Sequence, residues 1–168
     1  MRYFSFVLLI PMMAGCGGNV SSTVLQDFGL QERPEGYVSG SDQVMSSLRS
    51  IGVTELARLN IEHRHGEVKY DSSQDLRGRF YKELRVYTKA YPLDANATGS
   101  SADRKKRGYV GYIEYAYQLK ESPRFSNRTE AAAAAAEIPG GKGGRERYRY
   151  RFSAAGVWTG AKGELDRS

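Results

Sequence analysis

The segment Tyr109 to Lys120 limits the possible folds of this chain more than any other stretch. Side chains alternate across an extended strand, so Tyr109, Ile113, Tyr115, Tyr117 and Leu119 share one face while Glu114, Gln118 and Lys120 share the other. Pro123 ends it. The same period of two returns at residues 145–152, where Tyr148, Tyr150 and Phe152 point inward and Arg145, Arg147, Arg149 and Arg151 point outward. Ser153-Ala154-Ala155-Gly156 then turns the chain, and Val157 to Leu165 returns as the second arm of a hairpin. Twelve tyrosines against one tryptophan suit such strands, because tyrosine fits a pleated, half-buried surface.

Upstream, Phe80, Leu84, Val86 and Ala90 define one face of a further strand. Tyr81, Glu83, Arg85, Tyr87, Lys89 and Tyr91 define the other, and Pro92 stops it. Residues 93–107 read as a polar loop. Leu59 to His65 also alternates, and Gly66 has the place of a bulge, since Val68 and Tyr70 fall on the opposite parity. Helical signals come before these strands. Ser41 can cap, Asp42 suits the first turn, Val44, Met45, Leu48 and Ile51 make an apolar stripe for the core, and Gly52 suits the C′ position. A second helix is expected where Asn127-Arg128-Thr129-Glu130, a capping box, precedes the alanines 131–136; Pro139-Gly140-Gly141 stops it.

The expected fold class is therefore α+β. An N-terminal helix packs on a four- or five-stranded antiparallel meander, with a short alanine-rich helix inserted before the C-terminal hairpin. This order resembles the cystatin-like folds, in which a curved sheet wraps one helix. The resemblance covers about residues 41–166, rests on element order, and carries no function.

The first residues carry a different message. Arg2 supplies a positive start, Tyr3 to Ile10 an apolar run, and Met13-Ala14-Gly15-Cys16 a small-residue end, the order of an export signal. The run is shorter than the roughly 20 residues that cross a bilayer as a helix. Cys16 is the only cysteine, so the core must hold the fold without an internal disulfide, and an unpaired thiol in an oxidising compartment calls for an explanation. The segment resembles the lipobox of the bacterial lipoproteins, with Met13 where that family usually has leucine. The resemblance implies diacylglycerol on the Cys16 thiol, cleavage between Gly15 and Cys16, and an acyl chain such as palmitate on the new amino group. Residues 1–15 would then be the signal, 16–40 the lipidated cysteine and a flexible tether, and 41–168 one α+β domain. The expected location is extracytoplasmic, anchored to the cell membrane. Gly17 after the cysteine matches the sorting pattern for the outer membrane, facing the periplasm, in a Gram-negative cell.

Candidates for chemistry are few. His63 and His65 are the only histidines, and on one strand face they would stand about 6.6 Å apart, a spacing that can share a metal. Glu67 would lie about 13 Å away along the strand, so a third ligand must come from a neighbour. The other reading makes them ordinary strand residues. There is no G-x-S-x-G elbow and no H-E-x-x-H, and Gly140-Gly141-Lys142-Gly143-Gly144 lacks the spacing of a P-loop. No cofactor is expected. The formal charge of +6 suits anionic headgroups or an acidic polysaccharide, and no specific nucleic-acid binding is expected. Two features carry that charge. The arginine row can form a cationic, aromatic surface, or can pair across strands with Glu83 or Glu114. The run Arg104-Lys105-Lys106-Arg107 can orient the domain on an anionic surface, or can simply be solvated. Two functional readings follow: a membrane-tethered envelope protein with a non-enzymatic binding or structural domain, and a small metal-dependent hydrolase built on His63 and His65.

Overall fold

The computed structural model describes residues 25–27, 30–32, 35, 37–73, 78–99 and 107–167. One long helix, α1 (Gly40–Glu62), precedes β1 (Glu67–Asp71), β2 (Arg79–Thr98) and β3 (Gly108–Glu121). A short helix, α2 (Arg128–Ala133), then leads to β4 (Ile138–Pro139), β5 (Gly144–Phe152) and β6 (Glu164–Asp166). The strands form one antiparallel sheet in the order β1-β2-β3-β5-β6, with β4 paired to the last residues of β3. The described residues thus form an α+β fold, with six strands.

Helix α1 is longer than the sequence signals indicate. Ser39, not Ser41, is the N-cap: its side chain accepts from the Asp42 N–H at 3.1 Å. Gly52 does not end the helix. It sits on the packed face, where a Cβ would come within 3.1 Å of Ala90. The buried residues Val44, Leu48, Ile51, Glu55 and Leu59 recur at intervals of three and four, which is one helix face. The strand expected over Leu59–His65 is instead the last turn of α1 and the turn that follows it, and Leu59 is buried while Ile61 is exposed. Alternation over so few residues fits either period. Gly66, expected as a bulge, instead turns the chain from α1 into β1 with φ at +62°.

β2 also departs from expectation. It runs past Pro92 to Thr98, taking in part of the expected loop 93–107. Its pairing with β3 shifts between Tyr87 and Lys89 and again between Pro92 and Asp94. Proline is tolerated in a sheet at such irregularities. The first shift reverses the parity of the side chains, so Tyr87 and Ala90 both face α1 although the sequence assigns them to opposite faces. The alanine-rich helix is shorter than six alanines would allow and ends at Ala133. Asn127 caps it through the Thr129 N–H at 2.8 Å, and Ala131 is buried. The returning arm of the last hairpin is strand only at β6, with Trp158 bridging to Phe152.

The core lies between α1 and one face of the sheet. Val44, Leu48, Ile51 and Leu59 meet Tyr87, Tyr109, Ile113, Tyr115, Tyr148, Tyr150 and Phe152. Leu48 rests directly on the backbone of Gly111, where a Cβ would stand 2.8 Å from Leu48 Cδ2. The face assignments made from the alternation in β3 and β5 hold for Tyr109, Ile113, Tyr115, Tyr148, Tyr150 and Phe152.

Candidate functional site

The polar centre of the molecule is built on the core face, at the end where α1 gives way to β1. The register of β5 puts Glu146 on the same face as Tyr148, opposite Tyr115. Its carboxylate accepts from Tyr87 Oη at 2.7 Å and from Tyr148 Oη at 3.3 Å, and it pairs with Arg85. Arg85 lies 4.5 Å over the Tyr117 ring. Burial first, then the bond with Tyr148 and the Glu146 carboxylate, pushes the Tyr87 phenol above its ordinary range. A second group lies deeper: Tyr115 and Tyr150 share a hydroxyl–hydroxyl bond of 2.8 Å, and the buried Glu55 pairs with Arg58 one turn along α1. Burial, aided by the Glu55 charge, raises the Tyr115 phenol to about 12.

Above Arg85 opens a cleft of about 200 Å³ lined by Glu62, His63, His65, Gly66, Glu67 and Glu83. The two histidines lie in the turn after α1 and not on a strand. His63 caps the helix; its Nδ1 is 2.9 Å from the Leu59 carbonyl, and its ring meets Tyr87 edge-on at 5.3 Å. His65 Nε2 accepts from Arg64 Nε at 3.0 Å. Of the carboxylates, Glu62 pairs with Lys162 and Glu83 with Lys69. The Lys162 bond holds the Glu62 carboxyl below its usual range, and the Glu83 bond holds Lys69 above its own. The turn thus brings His63 and His65 to one cleft with three glutamates. Among the described residues no three histidine, aspartate or glutamate side chains stand close enough together to hold one metal ion.

The arginine row lies on the opposite, outer face of the sheet, and each member has a carboxylate. Arg145 pairs with Glu114 at 2.8 Å, Arg147 with Asp166 at 2.7 Å, and Arg149 and Arg151 both reach Glu164. Arg145 also lies 5.3 Å from the centre of the Tyr91 ring, and Arg147 5.4 Å from that of Tyr112. The row's charge is largely answered within the sheet. β6, whose acidic residues face the row, supplies three of these pairings.

Cys16, Arg104, Lys105 and Lys106 lie outside the described residues, and Arg107 is half-buried just before β3. The expected tether, in contrast, is partly described: Gln26 is buried, and the Asp27 carboxylate accepts from the Gly40 N–H and from Tyr109 Oη. Sequence reasoning gives no role to Glu146, or to Asn60, whose side-chain amide bonds both backbone groups of Tyr87. The period of two that placed Tyr148 inward also places Glu146 inward, so that signal was present. Asn60 gave none, because its helical setting was hidden by the alternation around it. Comparison with known protein families, with curated proteins and with solved structures finds no match to this chain.

Proposed function

We propose that this chain is a cell-envelope lipoprotein, tethered to its membrane through Cys16, whose folded part has a binding or structural role and not a catalytic one. The lipobox-type segment ending at Cys16 supports the tether. Among the described residues no helix is long and apolar enough to cross a membrane. The observation that carries the non-catalytic half is the engagement of Glu146 by Arg85, Tyr87 and Tyr148. A general acid or base must exchange its proton with a substrate, and this carboxylate instead ties three residues of β2 and β5 together. For the fold we propose the cystatin-like order, with α1 ahead of the meander that it packs on; for the location, the outer membrane facing the periplasm. A contribution of Arg104, Lys105, Lys106 and Arg107 to contact with anionic lipid or polysaccharide belongs to the same reading.

The experiment is fractionation of cells that express the chain or its Cys16→Ser variant. The native chain is expected in the membrane fraction, and the variant uncut or released into the soluble fraction. A variant that is processed normally and stays with membranes would contradict the tether.

A second reading, a metal-dependent hydrolase, has in its favour the shared cleft of His63, His65 and three glutamates, whose side chains would have to draw closer together to hold a metal ion. Titration with Zn²⁺, followed by calorimetry, separates the two. Our reading expects no saturable heat, whereas saturable binding lost in His63→Ala and His65→Ala would favour the hydrolase.

A further inference from the structure

Four exposed apolar side chains lie within a few positions of the residues that join the N-terminal segment to the domain, or of Gly156 beside them. The meeting point is Gly40, the first residue of α1, whose N–H donates to Asp27; the same carboxylate accepts from Tyr109 at the start of β3. Leu25 is two positions from Asp27, and the Leu30 N–H donates to the Leu25 carbonyl at 2.7 Å. Val38 is two positions before Gly40. Val157 follows Gly156, which packs beside the Gly40 carbonyl and Val44. Leu25, Leu30, Val38 and Val157 are between 40% and 63% exposed. The other exposed large apolar side chains are distributed over α1, β1, β2, β4 and β6. Apolar groups gathered on one surface mark a site of contact with a partner or a membrane.

Chain length identifies the occupant. Cys16 and Leu25 are nine positions apart, a span that cannot exceed about 32 Å even when fully extended. The Asp27 contact makes Leu25, and not Gly40, the point from which that span is measured. A lipid on Cys16 therefore holds Leu25 within about 32 Å of the bilayer, a limit that the tether does not set for the far end of α1. The far end of α1, about 33 Å away along the helix, carries Ile61. We infer that Leu25, Leu30, Val38 and Val157 form a membrane-facing surface that seats in the headgroup region of the anchoring bilayer, with Asp27 as the latch that fixes this orientation. Apolar side chains at such depth add burial to the lipid's own. The inference rests on the lipoprotein reading, because the tether is what selects a bilayer over other partners.

The test uses the full chain, expressed in cells, extracted from their membranes and reconstituted in phosphatidylethanolamine–phosphatidylglycerol vesicles that carry a doxyl-labelled lipid. With Cys16 acylated, a fluorophore can be placed on the introduced thiol of Val157→Cys or of Ile61→Cys. Loss of emission is expected at position 157 and not at position 61. Adding Asp27→Ala should reduce the loss at 157 toward that at 61. Equal loss at the two positions, or greater loss at 61, overturns the orientation while the chain's recovery from membranes leaves the tether standing. A chain that never fractionates with membranes overturns the tether and this inference with it. Emission at 157 that changes with protein concentration in the absence of vesicles identifies a second copy as the occupant, and that too overturns the bilayer assignment.

Discussion

The side-chain amide of Asn60 pairs with both backbone groups of Tyr87: Nδ2 donates to the carbonyl at 2.9 Å, and Oδ1 accepts from the N–H at 2.8 Å. A helix residue thus stands where a neighbouring strand would, on a β2 that β1 borders only from Arg79 to Glu83. Such a cover also blunts an edge that would otherwise invite another strand. Asn60→Ala leaves both groups without their partner and is expected to cost about 1–3 kcal/mol. Denaturant unfolding measures it. Midpoints that coincide for the native chain and Asn60→Ala would show that the pairing contributes nothing.

Leu48 and Gly111 make a second, sterically defined prediction. A Cβ at position 111 would stand 2.8 Å from Leu48 Cδ2, so α1 can lie this close to β3 only over glycine. Gly111→Ala is expected to destabilise by about 1–3 kcal/mol through overpacking. Leu48→Ala alone should cost about 2–5 kcal/mol, and the two together less than their sum, because the smaller residue makes room for the added methyl. Strict additivity in the double-mutant cycle would mean that the two positions do not touch.

The buried phenols predict how stability varies at alkaline pH. Tyrosines of the unfolded chain ionise near pH 10, whereas burial raises Tyr115 to about 12 in the folded chain and raises Tyr87 and Tyr150 as well. The folded state therefore holds these protons longer. Their contribution is fully present below about pH 10 and is lost as pH rises above it. Phenolate absorbance, followed together with circular dichroism, should show one set of tyrosines ionising in the folded protein and the buried set ionising only as the fold is lost. A single titration of all the tyrosines near pH 10, with the fold intact, would contradict the burial described here.

What could be read from the sequence follows from how local each determinant is. β3 and β5 are legible because their alternation is long and regular, and one face is buried from Tyr109 to Tyr115 and from Tyr148 to Phe152. Tyr87 was not, since a shift in pairing with β3 reverses parity and leaves no signature at Thr88 or Lys89. Leu59 and Ile61 read as strand because three alternating residues fit two periods. Only packing of Leu59 under the tyrosines, in line with Glu55 and Ile51, decides for helix. At the candidate site, the alternation around His63 and His65 suggests a strand, whereas both lie in the turn after α1. Glu146 shows the opposite case, with its inward parity legible and its three donors visible only once β2 and β5 are in register around β3. The pairing of the arginine row with Glu114 was legible from the strand pattern. The larger role of Asp166 and Glu164 needed the position of β6.

The mass of the N-terminal peptide of the membrane-extracted chain is the direct measure of a lipid on Cys16. The expected peptide begins at Cys16 and carries diacylglycerol on its thiol and an acyl group on its new amine. A peptide that retains residues before Cys16, or one that begins elsewhere with the Cys16 thiol free, would contradict it.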